Sequence, residues 1–316
     1  TVNTNTSIYM STNNCFSFAR LGLVMKRDLM ENWKRNLYVF LGIFLAFLGL
    51  YLINLEQYDF EYNDNYIENA VSTYINNHVY GFIIIASFLL LYFTSEIMRD
   101  MRTKEARLSY LMLPATLLEK FVSKALYVTV GVMGMIVVAL LLAEAAHFIF
   151  IPFFDNLRDE FKIFVWPELW EKIGEIINPF QTRKVYLNVT YGTDPSTWQC
   201  VEKSMFFIFS MGYTATLWQH SIFVLGGNYF GKYPMIKTVA IMILIGGLMG
   251  WACTLISLDD LSWIDDFIQH HSNWLTEEMV AGFISFVFLA FTALNWWLSY
   301  KLFTRRQVIE PKFRLL

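Results

Sequence analysis

The stretch from Gly226 to Tyr233, GGNYFGKY, comes close to a known chemical motif. All but its last position fit the phosphate-binding loop G-x-x-x-x-G-K-[ST], whose backbone amides and lysine hold nucleotide phosphates. Tyr233 stands where a serine or threonine hydroxyl would hold magnesium. A phosphate loop also follows a buried strand, whereas here a long apolar run precedes the glycines and Pro234 follows them. We therefore interpret the stretch as a tight turn between two helices.

Other residues with catalytic or metal-binding chemistry do not combine into a site. His270 and His271 could ligate a metal together with Asp266, but no further ligand is suggested, so a solvated interfacial helix is favoured. An intramembrane protease needs paired acids or histidines in mid-span, whereas the acidic pair Glu277 and Glu278 falls at the start of a predicted helix. The chain is therefore predicted not to be an enzyme.

The composition indicates an integral membrane protein. Of 316 residues, 56% are hydrophobic and only 16% are charged, against about 25% charged residues in soluble domains. The net charge of −3 gives no basis for binding nucleic acid, and the lipid bilayer is the expected environment.

Long apolar runs between charged residues predict six transmembrane helices, because a helix needs about 20 apolar residues to cross a bilayer. The predicted fold class is an all-α integral membrane protein, and a six-span domain extends over residues 36–316. Its spans cover residues 36–55, 79–95, 122–145, 204–226, 237–258 and 279–302.

The charges of the connecting segments predict the orientation. Loops 56–77 and 259–278 contain acids but neither Lys nor Arg, whereas the N-terminal segment, loop 96–124 and the C-terminal tail are rich in basic residues. Because basic loops stay in the cytoplasm, both termini are predicted to be cytoplasmic in a multi-pass protein of the plasma (inner) membrane.

The segments outside the spans have their own patterns. Residues 1–15 are predicted to be disordered, and residues 16–35 to form an amphipathic helix in the membrane interface. Its apolar stripe comprises Phe18, Leu21, Met25, Leu29 and Trp33. The alternative is a soluble helix that packs on a neighbour. The external loop 146–203 is predicted to form a small cap, with a helix at 167–177 and strand-like alternation over 185–191.

Polar residues within the spans are few. Tyr213, Thr214, Gln219 and Asn295 are candidates for a substrate path, because polar groups in a span often face a wet cavity. The alternative is that they only form hydrogen bonds between helices. Gly246 and Gly250 form a G-x-x-x-G motif, which allows close helix packing within the subunit or across a dimer. Glu144 and His147 lie at the outer end of the third span.

Residues 104–113 are predicted to be a short rigid piece between two membrane helices. Pro114 ends the preceding helix, and Thr116 with Glu119 forms a capping box that starts the next one. The apolar side chains of this piece must pack on the membrane, on the protein or on a partner; they are Leu108, Tyr110, Leu111 and Met112.

The stretch RTKEARLSYLMLPATLLEKFVSKAL, residues 102–126, resembles the first cytoplasmic loop of ABC-transporter permeases of the exporter-like second type. In that family an acid and a basic residue precede an apolar stretch, a proline, a small polar residue and a lysine. The matching residues are Glu105, Arg107, Leu108 to Leu113, Pro114, Thr116 and Lys124. The interfacial helix, six spans and cytoplasmic termini agree with the family, whereas the 58-residue external loop departs from its shortest members.

This resemblance implies the membrane subunit of an ATP-driven transporter that exports its cargo. A separate ABC ATPase would carry ATP and Mg²⁺ and dock on loop 102–120, so no cofactor is expected in this chain. A second copy or a related permease would complete the transporter. Lys104, Glu105 and Arg107 would form the rim of the ATPase contact, with Leu108, Tyr110 and Leu111 at its centre.

Two other functions stay open at this point: an intramembrane enzyme, and a membrane scaffold or sensor. The aromatic, sparsely charged spans favour an apolar or amphipathic cargo over an ion.

Overall fold

The computed structural model describes residues 16–58, 67–153, 165–178, 180, 182–188, 198–255 and 277–305. The helices in chain order are α1 (Phe18–Glu31), α2 (Trp33–Tyr58), α3 (Ile67–Ser95), α4 (Lys104–Leu111), α5 (Leu117–Leu126), α6 (Val132–Phe150), α7 (Trp166–Ile177), α8 (Phe206–Tyr229), α9 (Pro234–Leu255) and α10 (Glu277–Thr304). A π-helical segment, Tyr127–Gly131, joins α5 to α6, and a 3₁₀ turn, Arg99–Met101, precedes α4. Two strands, β1 (Thr182–Asn188) and β2 (Trp198–Ser204), pair antiparallel.

Within the described part of the chain, five helical stretches are long and apolar enough to cross a membrane. They are Trp33–Glu56, Asn69–Met101, Leu117–Phe153, Pro234–Trp251 and Glu278–Thr304. The second stretch begins at Asn69 instead of the predicted residue 79, and the third begins at Leu117 instead of the predicted residue 122. Helix α3 runs through polar residues ahead of residue 79, because buried side chains such as Tyr74 and His78 anchor its first turns.

Helix α8 occupies the position of the predicted fourth span and has 24 residues, but it is not among the five. Hydroxyl, amide and imidazole side chains interrupt its apolar sequence; they include Ser210, Thr214, Thr216, Gln219 and His220. Helix α10 packs beside it along much of its length.

One hydrophobic core joins α2, α3 and α6. Phe47, Tyr51 and Leu55 of α2 are buried against α3 and α6. Ala139 and Ala143 of α6 are also fully buried, and their small side chains let α2 approach closely. A second core joins the end of α3 to α4, α5, α8 and α10.

Helix α1 packs on the protein through a face that the apolar stripe did not indicate. Leu21, Val24 and Asp28 are buried, whereas Phe18 is 81% exposed and Trp33 is 57% exposed. The side of α1 that faces the protein therefore contains a carboxylate, and most of the predicted stripe points away from it.

The loop between α6 and α8 contains helix α7, which begins next to Pro167 as predicted. It also contains the β1–β2 hairpin, in which Tyr186 is the register partner of Cys200. Strand β1 covers the first part of the alternating segment 185–191, whereas β2 was not predicted. Residues 1–15 and the metal candidates Asp266, His270 and His271 lie outside the described residues.

Candidate functional site

The predicted rigid piece is helix α4, which lies between two of the five apolar stretches. Its first turn is capped by the Thr103 hydroxyl, which accepts a hydrogen bond from the Ala106 amide at 3.3 Å. The capping box of α5 is also present: the Glu119 amide donates to the Thr116 hydroxyl, and the Thr116 amide donates to the Glu119 carboxylate. Caps at both helices fix the geometry of this short connection.

Two residues predicted for a partner surface are instead buried within the chain. Arg107 is 6% exposed and Tyr110 is 4% exposed. The Arg107 guanidinium lies 3.4 Å from the Met101 carbonyl, and the Tyr110 hydroxyl donates to the Lys120 carbonyl at 3.1 Å. The prediction of an Arg107 rim and a Tyr110 centre is therefore corrected, because both side chains hold α4 to its neighbours.

The accessible side of the α4–α5 connection is apolar, with charged residues at one end. Lys104, Glu105 and Leu108 are exposed, whereas Leu111 is half-buried. Met112 is 74% exposed, and it is followed by the accessible side chains of Leu117 and Leu118. The exposed edge, defined as Leu108, Met112, Leu117 and Leu118, extends beyond the residues that the sequence indicated.

A group of buried and half-buried charges lies behind α4. The charged junction, defined as Asp28, Arg35, Asp100, Tyr110 and Lys124, draws on five elements of the chain. The Lys124 ammonium is 2.9 Å from the Asp100 carboxylate and 3.4 Å from the Asp28 carboxylate, and it lies 4.7 Å from the centre of the Tyr110 ring. Arg35 makes a second ion pair with Asp100. Two cations thus balance two carboxylates.

Burial changes the chemistry of this junction. Burial raises the pKa of the Asp28 carboxyl, although the Lys124 ammonium opposes the shift. Burial also raises the pKa of the Tyr110 hydroxyl, and the nearby Asp28 carboxylate adds to that rise. Tyr110 is therefore a hydrogen-bond donor, and Lys124 is the group that neutralises Asp28.

A second link ties α1 to the start of α5. The Glu119 carboxylate is fully buried and accepts hydrogen bonds from the Ser17 amide at 2.6 Å and from the Arg20 guanidinium at 2.8 Å. Arg27 of α1 also donates to the Ser109 hydroxyl of α4 at 3.2 Å. These contacts join α1 to both α4 and α5.

The GGNYFGKY stretch does not form a phosphate loop. Gly226 and Gly227 lie within α8, where a Cβ on Gly226 would come within 2.0 Å of the Thr238 hydroxyl of α9. A Cβ on Gly227 would come within 2.4 Å of the Ser95 carbonyl of α3. The glycines therefore allow three helices to meet. The turn itself places Tyr233 at φ 52°, in the left-handed region.

The four candidates for a substrate path have different environments. Thr214 and Asn295 are buried, Tyr213 is half-buried and Gln219 is exposed. The Asn295 amide donates to the Ser221 hydroxyl at 2.9 Å, which links α10 to α8. The Thr214 hydroxyl donates to the Ser210 carbonyl within α8. The Asn295 contact is therefore of the kind that holds helices together, whereas the Thr214 contact stays within one helix.

The glycine pair of α9 faces away from the chain. A Cβ on Gly246 or Gly250 would meet no other atom within 4 Å, so the motif brings no other described helix of this chain close. Its small residues are available to a second molecule or to lipid.

A second polar group lies beneath α7. The histidine cluster, defined as Tyr51, Tyr74, His78, Glu144 and His147, is almost fully buried. The Tyr51 ring stacks on the His147 ring at 4.5 Å and lies 5.0 Å from the His78 ring. Both imidazoles use Nδ1 with a carbonyl of their own helix, at 2.9 Å from Tyr74 and 2.6 Å from Glu144.

Glu144 connects this cluster to the external segment. Its carboxylate accepts a hydrogen bond from the Trp166 amide at 2.8 Å, at the start of α7. The sequence drew attention to Glu144 and His147, but Tyr51, Tyr74 and His78 were missed because they lie on other helices. Among the described residues, no three His, Cys, Asp or Glu side chains are grouped to hold a metal ion.

The charged junction was also missed, since Asp28 and Arg35 are far from Asp100 in sequence and each resembles an ordinary surface charge. The available signal was Lys124, a basic residue at the start of a long apolar run.

The assignment of function depends on residues and geometry alone, because the chain matches no protein-family model, no curated protein and no solved structure.

Proposed function

We propose that this chain is the membrane-spanning subunit of an ATP-driven exporter and that a separate ATPase moves it through α4. The observation that carries the proposal is the arrangement of α4 itself. A capped helix of eight residues presents apolar side chains on one side, while its other side is fastened to α1 and α5 by Tyr110, Arg27 and Lys120.

This arrangement has the two properties that a coupling element needs. The exposed edge supplies aliphatic anchors, which contribute much of the energy of a protein interface, and Lys104 and Glu105 supply charges that orient the encounter. Hydrogen bonds of Arg27, Tyr110 and Lys120 hold α4 against α1 and α5. The Glu119–Arg20 pair holds α1 against α5. A push on α4 would then be transmitted to two other helices.

The rest of the proposed architecture follows from the helices. Helix α8 would cross the membrane as well, which brings the number of spans to six and makes α8 the fourth in chain order. Helix α10 covers part of its polar side through the Asn295–Ser221 hydrogen bond. Both termini would lie in the cytoplasm of a plasma (inner) membrane protein, and α7 with the β1–β2 hairpin would form the external cap. A second copy or a related permease would complete the transporter, with Gly246 and Gly250 on an outward face of α9.

For the substrate path, Tyr213 and Gln219 are the more accessible candidates, since Thr214 and Asn295 are buried. Apolar or amphipathic molecules are the cargo class that this aromatic, sparsely charged bundle favours. ATP and Mg²⁺ would bind to the partner.

The decisive experiment places a photo-crosslinking amino acid at Met112, which is exposed, and identifies the captured protein by mass spectrometry in the native host. The proposal expects an ATPase, with capture and transport reduced by Leu108→Ala combined with Leu118→Ala. Leu23→Ala, which truncates a side chain 68% exposed on α1, is the matched control.

The alternatives give different results. Full transport in the Leu108/Leu118 variant, with no ATPase captured at Met112, contradicts the coupling proposal and favours a scaffold or sensor. A reaction catalysed by the isolated chain, dependent on one or two titratable residues, favours an intramembrane enzyme.

A further inference from the structure

Two adjoining cavities run along the side of α2 and α3. The first is an open groove of about 480 Å³, and all of its lining residues are apolar: Val39, Gly42, Ile43, Ala46, Ile84, Ile85, Phe88, Leu89 and Phe93. Gly42 and Ala46 keep the α2 wall low, and a Cβ on Gly42 would meet no atom within 4 Å. Ile84 and Phe88 are more than half exposed, so the groove lies at the surface of the bundle.

The second cavity is a polar recess that shares Val39 and Phe93 with one end of the groove. Arg35, Asn36, Glu96, Arg99, Asp100 and Lys124 provide its polar lining, and its volume is about 30 Å³. This space is too small for a whole phosphate group, but it is about the size that one water molecule or oxygen atom needs. A phosphate group would therefore sit at the mouth of the recess.

The charges at this end of the groove leave one cation in surplus. The Arg35 and Lys124 cations are balanced by the Asp100 and Asp28 carboxylates. The Arg102 cation is balanced by the Glu96 carboxylate at 2.7 Å. Arg99 is exposed and makes no ion pair with any described residue. An anion at the mouth would therefore meet an Arg99 guanidinium whose charge is not already neutralised.

We propose that this groove and recess form a binding site for an anionic phospholipid. One acyl chain lies between α2 and α3 from Val39 to Ala46, and the phosphate lies against Arg99. Val39 and Ala46 are seven residues apart on α2, so the groove between them is about 10 Å long. That is about two thirds of one leaflet of a hydrocarbon core about 30 Å thick. The basic end is the predicted cytoplasmic end, where anionic lipids are recognised by basic pockets between helices.

Such a lipid would touch α2 and α3 beside the charged junction, since Arg35, Asp100 and Lys124 line the recess as well. This site does not depend on ATPase coupling, and it requires only that α2 and α3 cross the membrane.

The test uses the full chain in phosphatidylcholine vesicles, with or without phosphatidylglycerol, after extraction in mild detergent. Native mass spectrometry should detect retained phosphatidylglycerol, and Arg99→Ala should reduce its retention about fivefold, as expected from loss of one basic residue near a membrane surface. Lys232→Ala, which removes an exposed cation in the α8–α9 turn, should retain it like the wild type. Equal retention by the wild type and Arg99→Ala overturns the site.

A second measurement tests the acyl chain independently of the head group. Phosphatidylglycerol with a diazirine in its acyl chain should label peptides that contain residues 39–46 and 84–93, and Gly42→Phe should abolish this labelling by filling the groove. The control is Leu45→Phe, on a side chain that is 61% exposed and does not line the groove. Unchanged labelling in Gly42→Phe overturns the proposal. A disulfide between two copies of Ala46→Cys also overturns it, because a second copy would then occupy the groove. Displacement of the lipid by soluble glycerol phosphate overturns it as well, because the site would then bind the phosphate group without an acyl chain.

Discussion

Two groups of polar side chains, the charged junction and the histidine cluster, are held together by different forces. The charged junction pairs two cations with two carboxylates and uses direct ion pairs between α1, α2, α5 and the 3₁₀ turn Arg99–Met101. The histidine cluster instead relies on stacked rings, and its imidazoles bond to carbonyls of their own helices. In the charged junction each side chain depends on a partner from another element. In the histidine cluster the packing of the rings holds the helices together.

This difference predicts different consequences for substitutions. Removing one partner of a buried ion pair leaves an uncompensated charge, which is very costly. Replacing one ring of a stacked pair by an apolar ring of similar volume lowers the free energy of unfolding much less. The charged junction should therefore tolerate few substitutions, while the histidine cluster should tolerate those that preserve shape.

The largest expected effect is that of Lys124→Met. This change keeps much of the side-chain volume but leaves Asp28 without its cation, so we expect a loss of about 3–5 kcal/mol in the free energy of unfolding. Thermal unfolding of the purified protein in detergent measures it. The control Lys26→Met alters an exposed lysine of α1 and should change stability by less than about 0.5 kcal/mol. Equal stability of the two variants would contradict the central role of Lys124.

The histidine cluster should discriminate between two variants of His147. His147→Ala removes the ring that stacks on Tyr51 and leaves a cavity, so a loss of about 2–4 kcal/mol is expected. His147→Phe keeps a ring of similar size and should cost less than about 1.5 kcal/mol. The same unfolding measurement applies to both. If His147→Phe is as damaging as His147→Ala, polar contacts rather than stacking hold this cluster together.

Glu119 offers an intermediate effect, because it combines a helix cap with the link to Arg20. Glu119→Ala should cost about 1–2 kcal/mol by loss of the capping box, and it should also loosen α1. Glu119→Gln keeps an acceptor oxygen for the Thr116 amide, so it should mainly weaken the link to α1.

Loosening of α1 can be read directly from Leu21→Cys, whose position is buried against the protein. A thiol reagent should react faster with this cysteine in both Glu119 backgrounds than in the otherwise unchanged chain. Unchanged reactivity would show that α1 stays in place without the Glu119–Arg20 contact.

The smallest effect concerns the pH dependence of Asp28. Burial raises the pKa of its carboxyl, so the folded protein binds this proton more tightly than the unfolded chain does. The stabilisation from this group is present at low pH and is lost as pH rises through the folded-state pKa. Because Asp28→Asn does not titrate, the stability of the wild type relative to this variant should fall as pH rises.

Unfolding temperatures of both proteins over a pH series test this sign. Glu31→Gln, at a carboxylate that is 59% exposed, should show no such trend. A wild type that gains stability over Asp28→Asn with rising pH would mean that the Lys124 ion pair outweighs the cost of burial.

Much of the helical layout could be predicted from the sequence because it depends on local properties. Apolar runs, Pro114 and the Thr116–Glu119 capping box act over a few residues, and helices occur at all six predicted spans. The orientation of side chains was harder to predict. Tyr110 and Arg107 lie on a short helix that has neighbours on more than one side, so spacing alone could not show which face would be buried.

The sequence by itself determined that this chain is mostly apolar helix, where several of those helices begin and end, and which short segment connects α3 to α5. Only the tertiary structure decided that Asp28, Asp100 and Lys124 share one site and that Gly226 and Gly227 lie where α8 meets α9 and α3. The physical reason is that helix formation follows from local sequence, whereas the pairing of buried charges and the close approach of backbones depend on residues that are distant in the chain.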